Sequence, residues 1–391
     1  MGQNFGLKSP ENVLSLRVHI ILLYKHHGHE GWLYFWKNSG KVLIFPLTYS
    51  IMLVWVILHK KRGDTVDYTI SLTNKCNLKC SYCYERHLNT EYGSLSDETR
   101  NKIADYINAR GDADTVYLFG GEPLLYKDNV KYYCTTVKAN RFVITTNGTL
   151  LDEGFIKWCA DRKNIIINMS HDGIKCTERG ADVAVLDANL KILLKYQPRT
   201  LVQLVYTEET LPDLYDNIMY LKGLGVQKVS AVLDSFLVPA DIDSFGDMLR
   251  EQWEKVAAIP DLFVFELESK KNSIRKNEHP LCEICKKKVF INWDGSFYPC
   301  VQFQNRAEFR CGDIFTGMEA EKARQAHPDY PIRSERCDGC EIAEYCRNSC
   351  ACRKMATTGT LRDISDAACM EEQVHILTAL EILAKERGKK L

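Results

Sequence analysis

Three cysteines early in the chain have the spacing of an iron–sulfur site. Cys76, Cys80 and Cys83 lie in the run CNLKCSYC. Three thiolates at this spacing can bind three irons of a 4Fe-4S cube and leave the fourth iron without a protein ligand. Because a catalytic metal needs a coordination position that the protein leaves open, the three cysteines predict a reactive cluster. The alternative is a structural zinc site, in which His87 is the fourth ligand.

Eight further cysteines form a second set in the last third of the chain. They are Cys282, Cys285, Cys300, Cys337, Cys340, Cys346, Cys350 and Cys369. The pairs 337/340 and 346/350 could by themselves form a zinc ribbon. The other five of the sixteen cysteines are predicted to be small buried thiols, namely Cys134, Cys159, Cys176, Cys311 and Cys352. The first residues lack the pattern of a cleavable signal peptide, so we expect a reducing, cytoplasmic location in which clustered cysteines bind metal.

The elements that must position the first three cysteines follow from short apolar segments that alternate with helical patterns. Six candidate strands cover residues 67–73, 115–119, 141–145, 164–169, 200–206 and 228–233, and Ser96 is a candidate helix N-cap between the first two. Strands that alternate with helices pair in parallel through right-handed crossovers, so the sequence predicts an α/β fold with a partial, six-unit β/α barrel. Chemistry in such a barrel occurs where strands end, and the three-cysteine loop follows the first strand.

The pattern loosens in the last third of the chain, after a predicted helix at 241–257. Residues 280–370 contain few long apolar runs, so we expect a bound metal to supply much of their folding free energy. The spacing of apolar residues at 371–389 predicts a closing amphipathic helix.

The N-terminal segment allows three interpretations. Residues 42–58 carry no charge and reach the length that can cross a bilayer, and the cations at 60–62 would then place the barrel in the cytosol. Pro46 weakens that interpretation, and residues 31–45 have the pattern of a hairpin that turns at 38–40. A membrane anchor, a packed extension and a start site assigned too far upstream therefore all stay open.

The composition excludes one broad class. Lys and Arg total 51, as do Asp and Glu, so the formal net charge is zero and the chain lacks the basic character of a general nucleic-acid binder. The length of 391 residues predicts two or three structural units.

Further motifs follow the three-cysteine loop in register with the predicted strands. GGEP follows the second strand, TTNG ends the third and SHDG ends the fourth. The candidate cofactor-binding residues are Tyr82, Gly120, Gly121, Glu122, Thr145, Asn147, Ser170 and Asp172. Together with the cysteines, this order resembles the radical S-adenosylmethionine (SAM) enzymes. The resemblance implies that the loop holds a SAM-binding 4Fe-4S cluster, that Glu122 and nearby carbonyls bind the α-ammonium of SAM, and that the SHDG turn reaches its ribose and carboxylate.

The C-terminal cysteines are similar to those of the SPASM domain, an auxiliary-cluster extension of radical SAM enzymes that mature peptides and proteins. The resemblance implies three 4Fe-4S clusters in all. The auxiliary ligands would be Cys282, Cys285, Cys300 and Cys350 for one cluster, and Cys337, Cys340, Cys346 and Cys369 for the other. A cluster with four cysteine ligands is suited to passing an electron away. Cys352 is a possible competitor for the position of Cys350.

The resemblance also implies a reaction in which a 5'-deoxyadenosyl radical abstracts hydrogen from a substrate in the barrel mouth, with an external electron donor of flavodoxin or ferredoxin type. The favoured partner is a ribosomally made precursor peptide, which would receive a thioether or carbon–carbon (cyclophane) crosslink. A sulfatase-type maturase that makes formylglycine is the alternative. Val301 stands where sulfatase maturases carry a presumed base, and the His-Asp-x-x-Arg run expected after SHDG is absent.

Two expectations complete the functional prediction. Asp234, at the end of the sixth strand, is the candidate catalytic base. A non-enzymatic iron–sulfur electron carrier, which would not need the GGEP and SHDG positions, is a third possible function.

Four domains are expected. Residues 1–64 form an N-terminal extension that could enter a membrane or hold the leader of a precursor peptide, and residues 65–240 form the radical SAM barrel. Residues 241–279 form a helical connector, and residues 280–391 form the SPASM domain with its C-terminal helix.

Overall fold

The computed structural model describes most of the chain beyond residue 64. The described residues are 65–88, 91–174, 178–278, 287–319, 334–346 and 350–388, together with the backbone of four short strands before residue 46. Contacts within the chain divide it into two units, Met1–Asp64 and Thr65–Leu391.

The first unit contains two antiparallel strand pairs. Strand β1 (Tyr24–His26) pairs with β2 (His29–Gly31), and β3 (Tyr34–Asn38) pairs with β4 (Lys41–Phe45). Asn38 lies opposite Lys41, which confirms the predicted hairpin. Most of the uncharged segment 42–58 lies outside the described residues. Within the part of the chain that the structure describes, no helix is long and apolar enough to span a membrane.

Six parallel strands form the centre of the sheet in the second unit. They are β5 (Val66–Ser71), β6 (Ala113–Phe119), β7 (Arg141–Thr146), β8 (Ile165–Ser170), β9 (Leu201–Tyr206) and β10 (Lys228–Leu233). They pair side by side in chain order, as consecutive right-handed β/α units do. Each lies at a predicted position, which confirms the α/β fold.

Helices connect these strands. They are α1 (Tyr84–Leu88), α2 (Asp97–Arg110), α3 (Lys127–Thr136), α4 (Glu153–Ala160), α5 (Val183–Tyr196) and α6 (Leu214–Gly223). Ser96 caps α2 as predicted, because its hydroxyl accepts the Thr99 N–H at 3.0 Å. Gly111 ends the helix in the left-handed conformation.

The remaining elements are helices and short strands; three of the strands extend the sheet, and the last two pair with each other in a separate sheet. They are α7 (Ile242–Ala257), β11 (Phe263–Val264), α8 (Phe265–Lys276), β12 (Lys288–Ile291), β13 (Phe297–Tyr298), β14 (Gly312–Asp313), β15 (Gly317–Met318), α9 (Ala351–Thr358) and α10 (Asp366–Glu386). Strand β11 pairs in parallel with β10. At the other edge β12 pairs in parallel with β5, and β13 pairs antiparallel with β12.

The last third of the chain has an apolar core that the sequence did not predict. Phe290, Ile291, Phe297 and Phe303 are buried and belong to the same apolar cluster as the barrel strands. The short apolar segments of this region therefore bury their apolar surface against the barrel strands. This burial stabilises the region in addition to any bound metal. The closing helix begins earlier than predicted, at Asp366, because Ser365 caps it.

A buried carboxylate joins α10 to the ends of two barrel strands. Glu371 accepts hydrogen bonds from the Tyr206 hydroxyl at 2.8 Å and from the Leu233 N–H at 3.3 Å. Its other oxygen forms an ion pair with Arg353 at 2.6 Å. Arg353 follows the cysteines at 350 and 352, so Glu371 connects the C-terminal cysteine segment with the carboxyl ends of β9 and β10.

We expect Glu371→Gln to lower the free energy of unfolding by about 2 kcal/mol or more, since the largely buried Arg353 guanidinium loses its counter-charge. Urea denaturation would measure the change. The matched control is Glu381→Gln on the exposed face of the same helix, which should change stability by less than about 0.5 kcal/mol. Equal effects of the two substitutions would contradict the role of Glu371.

Candidate active site

The three-cysteine loop lies between β5 and α1, at the carboxyl edge of the parallel strands. The Cys76 sulfur accepts a hydrogen bond from the Leu78 N–H at 3.4 Å and lies 3.7 Å from the Asn147 amide nitrogen. Cys80 lies 3.5 Å from the Arg179 carbonyl. The N–H groups that point at the Cys76 sulfur favour its thiolate, which is the form that binds iron, but burial has the larger effect and raises the pKa of Cys76.

The metal ligands that this loop offers are cysteine thiolates. Among the described side chains, no three His, Cys, Asp or Glu residues converge closely enough to hold one metal ion. Each cysteine of a cubane site binds a different iron, so its ligands stand further apart than those of a lone cation. The side chain of His87, the alternative zinc ligand, lies outside the described residues.

The two glycines of GGEP touch the backbone of the cysteine loop. A Cβ at Gly120, whose φ is +135°, would lie 2.1 Å from the Thr73 carbonyl oxygen, and one at Gly121 would lie 2.4 Å from the Lys75 oxygen. The Gly121 N–H donates to Thr73 at 2.8 Å, and the Glu122 N–H donates to Lys75 at 2.9 Å. Glycine is therefore required at both positions, because any side chain would displace the loop.

Glu122 joins GGEP to the end of the third barrel strand. Its carboxylate is fully buried and accepts hydrogen bonds from the Thr146 hydroxyl at 2.7 Å, the Asn147 N–H at 2.7 Å and the Leu124 N–H at 2.9 Å. Burial raises its pKa even though these three donors favour the charged form. Glu122 thus holds two motifs together, and its expected contact with SAM stays a prediction.

The TTNG turn is bonded to the cysteine loop through side chains. The Asn147 amide donates to Asn77 at 2.9 Å and accepts from the Thr149 N–H at 3.0 Å, while Asn77 donates to the Thr149 hydroxyl at 2.8 Å. Thr145 pairs with Asn168 in the sheet, and its side chain is partly exposed at the strand end. Sequence reasoning missed Asn77, whose signal was its position directly after the first cysteine.

The SHDG aspartate is bonded to the cysteine loop and to an arginine. Asp172 accepts two hydrogen bonds from Arg179, at 2.7 and 2.9 Å, and one from the Val205 N–H at 3.0 Å. The Tyr82 hydroxyl also donates to it, and burial, followed by the charge of Asp172, raises the pKa of this tyrosine. Ser170 ends β8 and pairs with Gln203.

Sequence reasoning missed Arg179, because its position does not complete the His-Asp-x-x-Arg run expected after SHDG. The His-Asp-x-x-Arg run is absent, but an arginine is present and holds the aspartate. Glu178 beside it accepts a hydrogen bond from Ser81 at 2.5 Å and one from Thr207 at 3.2 Å. The residues after SHDG therefore connect the cysteine loop with the end of β9 through hydrogen bonds.

His171, within SHDG, is fully buried in one defined tautomer. Its Nδ1 accepts the Gly173 N–H at 3.1 Å, so Nε2 carries the proton and donates to Asp187 at 3.0 Å. The Tyr220 hydroxyl donates to the other oxygen of Asp187. Burial lowers the pKa of His171, and the carboxylate of Asp187 offsets part of that shift.

Two of the predicted auxiliary ligands, Cys300 and Cys350, lie close to a third cysteine, Cys352. The Cys350 and Cys352 sulfurs lie 3.2 Å apart, and the Cys352 thiol also hydrogen-bonds to Cys300. The hydrogen bond from Cys352 lowers the pKa of Cys350 to about 6. Cys352 is buried as expected of a small thiol, and it lies among the ligands as expected of a competitor. Cys282 and Cys285 lie outside the described residues.

The other described cysteines that are predicted to be auxiliary ligands lie in two segments. Cys337, Cys340 and Cys346 lie in the described segment 334–346. Cys369 lies in the first turn of α10, close enough to Cys337 and Cys340 for their thiolate charges to raise its pKa, after the larger effect of burial. The third cysteine of this set, Cys346, follows in the same short segment.

Helix α1 joins the two cysteine sets. Tyr84, the first residue of α1, directly follows Cys83, and burial raises its pKa well above the ordinary value. A 3-10 turn at Val301–Phe303 packs against α1, and Gln302 within it donates to the Ser235 hydroxyl at 3.2 Å. The carboxylate of Asp234 accepts the Phe236 N–H at 3.0 Å, at the carboxyl end of β10.

Comparison with known proteins identifies the domain that carries this site. Residues 70–234 match the family described as Radical SAM superfamily, so the chain carries a radical SAM domain over this range. The tungsten-containing aldehyde ferredoxin oxidoreductase cofactor-modifying protein of Pyrococcus furiosus is 26% identical over 257 residues, which cover 60% of this chain and 70% of that protein.

Two further relatives are named for maturation or biosynthesis. The cysteine-type anaerobic sulfatase-maturating enzyme of Clostridium perfringens is 24% identical over 70% of this chain and 85% of its own length. The antilisterial bacteriocin subtilosin biosynthesis protein AlbA of Bacillus subtilis is 24% identical over 71% of this chain and 65% of its own length.

Two solved structures share the fold. Native anSMEcpe with bound AdoMet has a TM-score of 0.67 at 18% identity, over 82% of this chain and 99% of that one. Streptococcus suis SuiB bound to precursor peptide SuiA has a TM-score of 0.59 at 14% identity, over 86% of this chain and 84% of that one. At these identities the likeness concerns the fold.

We expect Gly121→Ala to lower the free energy of unfolding by about 2 kcal/mol, since its methyl group would overlap the Lys75 carbonyl. Displacement of the loop should also reduce bound iron by about four atoms per chain after anaerobic reconstitution. The matched control is Gly223→Ala at the end of α6, where no atom lies within 4 Å of an added Cβ. Unchanged stability and iron content of Gly121→Ala would contradict the close contact.

We expect the contribution of buried His171 to stability to fall as the pH drops below about 6.5, the ordinary pKa of histidine, since the unfolded chain then binds a proton that His171 in the folded chain does not. For one histidine, the free energy of unfolding changes by at most about 1.4 kcal/mol per pH unit. His171→Asn keeps an acceptor for Gly173 and should remove this contribution. His375, whose pKa burial also lowers, contributes with the same sign, whereas Glu122 and Glu266, whose pKa values burial raises, contribute with the opposite sign. Urea denaturation at several pH values would measure both slopes, and identical slopes would exclude His171 as a contributor.

Proposed function

We propose that this radical SAM enzyme is a maturase of a ribosomally made precursor peptide and forms a thioether or carbon–carbon crosslink in it. The observation that carries the proposal is the contact of the two cysteine sets through α1. Helix α1 directly follows Cys83 and packs on the 3-10 turn that directly follows Cys300, so a site for hydrogen abstraction would adjoin a site that could accept an electron. That combination suits a net oxidation of the substrate.

Each residue set has a defined role in the proposal. Cys76, Cys80 and Cys83 would hold the SAM-binding cluster, and the C-terminal cysteines would hold two auxiliary clusters. When bound, the cluster and SAM supply an acceptor for one substrate hydrogen atom. Gly120 and Gly121 keep the loop against the barrel, and the bonds of Asp172 to Tyr82 and Arg179 keep its other end in place.

The proposed crosslink balances as a two-electron oxidation. Two bonds to hydrogen break in the peptide, and one sulfur–carbon or carbon–carbon bond forms. One hydrogen atom goes to the SAM-derived group, one proton goes to a base, and one electron goes to a one-electron acceptor. Asp234 is the proposed base, because it lies at the carboxyl end of β10 beside Ser235, to which Gln302 of the C-terminal region is bonded.

The names of two comparison proteins support a peptide as the substrate. One is a biosynthesis protein of the bacteriocin subtilosin, and the other is shown bound to its precursor peptide. The sulfatase-maturating relative supports the alternative, in which the substrate is a sulfatase and the product is formylglycine. Val301, at the position expected for the base of that reaction, has no titratable group and argues against it.

Co-expression with short peptides encoded beside the gene would identify the substrate. The proposal predicts that one peptide loses two hydrogen atoms per crosslink, with fragment masses that join two residues. Conversion of a cysteine to formylglycine would instead replace sulfur with oxygen and would favour the sulfatase-type alternative.

We expect a variant with Cys76, Cys80 and Cys83 all changed to Ala to release no 5'-deoxyadenosine when SAM and dithionite are added under anaerobic conditions. It should keep about eight irons per chain, from two four-iron clusters. The control is Cys134→Ala, which removes a half-buried thiol outside both cysteine sets and should leave turnover unchanged. Loss of all iron from the triple variant would contradict the three-cluster arrangement.

A further inference from the structure

A buried thiol lies between two cysteines that are predicted to bind an auxiliary cluster. The Cys352 sulfur is 3.2 Å from the Cys350 sulfur and also forms a hydrogen bond with Cys300. Cys300 and Cys350 are far apart in the sequence, so the fold brings three thiols to one place. Cys352 is not one of the predicted cluster ligands, and its contacts with two of them require an explanation.

Neighbouring elements fix the position of Cys352. It lies in the first turn of α9, and this helix packs on the turn at Val301–Phe303, which directly follows Cys300. The next residue, Arg353, forms an ion pair with Glu371 of α10 at 2.6 Å. The protein itself therefore holds the Cys352 sulfur beside the other two cysteines.

The three thiols differ in their exposure. Cys352 is 6% exposed, whereas Cys300 and Cys350 are half-buried. A cluster needs space beside the sulfurs that bind it, and the two half-buried cysteines have more accessible surface than Cys352. Their exposure and their thiol chemistry fit iron ligands, and Cys352 lies on the interior side of the pair.

The distance between Cys350 and Cys352 is too short for two sulfurs that both bind metal. Two thiolates on one tetrahedral metal ion, with bonds of about 2.3 Å, are about 3.8 Å apart. Thiolates on different corners of a four-iron cube are further apart still. Two negatively charged sulfurs at 3.2 Å would also repel each other, so one sulfur of this pair keeps its proton.

Metal binding decides which sulfur carries that proton. A cysteine that binds iron does so as a thiolate and has no proton to donate. When Cys300 and Cys350 bind a cluster, Cys352 is the member of this group that still has an S–H. The group can donate to the sulfur of either ligand, because Cys352 contacts both.

A donor at a ligand sulfur changes the redox equilibrium of the cluster. Hydrogen bonds to the sulfurs are among the factors that set the reduction potential of an iron–sulfur cluster. The reduced cluster carries one more negative charge than the oxidised cluster, so the hydrogen bond stabilises the reduced form more strongly. Such a bond raises the reduction potential and makes the cluster a better electron acceptor.

We propose that Cys352 donates an S–H hydrogen bond to the ligand sulfurs of the auxiliary cluster held by Cys300 and Cys350, and thereby raises the reduction potential of that cluster. This inference rests on the proposed function, in which a one-electron acceptor takes one electron from the substrate. It adds that a cysteine outside the ligand set controls how readily the acceptor takes that electron.

The reduction potentials of the auxiliary clusters test the proposal. The variant in which the three loop cysteines are Ala should contain these two clusters alone, with about eight irons per chain. In this background, Cys352→Ala should make one of the two midpoint potentials more negative, with the iron content unchanged. We expect about a tenfold change in the reduction equilibrium, which is about 59 mV for one electron. A redox titration followed by electron paramagnetic resonance would measure both potentials.

Two further variants separate a hydrogen bond from packing. Cys352→Ser keeps a donor and should recover part of the shift. Cys311→Ala removes another buried thiol of the same region, which donates to the Phe309 carbonyl at 3.2 Å, and should change neither potential. In electron–nuclear double resonance, the reduced cluster should show an exchangeable proton that is absent from Cys352→Ala.

Iron content distinguishes the ways in which the proposal can fail. Eight irons with unchanged potentials in Cys352→Ala would show that the thiol only fills space, and would overturn the proposal. Loss of about four irons from both Cys352→Ala and Cys352→Ser would make Cys352 a ligand and would also overturn it. Loss of all iron from the loop variant itself, before any change at Cys352, would contradict the auxiliary clusters and hence the proposed function together with this inference.

Discussion

The candidate site depends on fixing one irregular loop. The backbone of the three-cysteine loop does not form a β-ladder with another strand. The ends of neighbouring strands must therefore keep the loop in position. Gly120 and Gly121 contact its backbone directly, the Asn147 amide reaches its first cysteine, and Asp172 accepts its Tyr82 hydroxyl. Because these contacts come from three successive strand ends, the loop position follows from the register of the parallel sheet.

The buried charged side chains around the loop form hydrogen bonds or ion pairs with other residues of the protein. These bonds decide which residues of the motifs remain available to bind a cofactor. Asp172 holds Arg179, and Glu122 accepts three hydrogen bonds from the ends of two neighbouring units. Both residues were predicted from a family resemblance as contacts to SAM. In the structure they first stabilise the shape of the site, since leaving such carboxylates unpaired in a dry interior would cost several kcal/mol.

The C-terminal region functions as a continuation of the barrel. Strand β12 adds to β5, and the salt bridge of Glu371 with Arg353 holds the C-terminal cysteine segment against the ends of β9 and β10. The mouth of the barrel is therefore bordered by residues from both ends of the chain. This arrangement packs the turn that follows Cys300 on α1, which follows Cys83.

The sequence by itself determined the features that depend on local order. Short apolar segments that alternate with helical patterns located all six barrel strands, and the spacing of the cysteines and glycines located the loop and its neighbours. Both signals come from residues that are close together in the sequence. Tertiary structure decided the rest. Arg179, the contact of Cys352 with Cys300, and the apolar core of the last third arise between residues far apart in the chain, and no local spacing encodes such contacts.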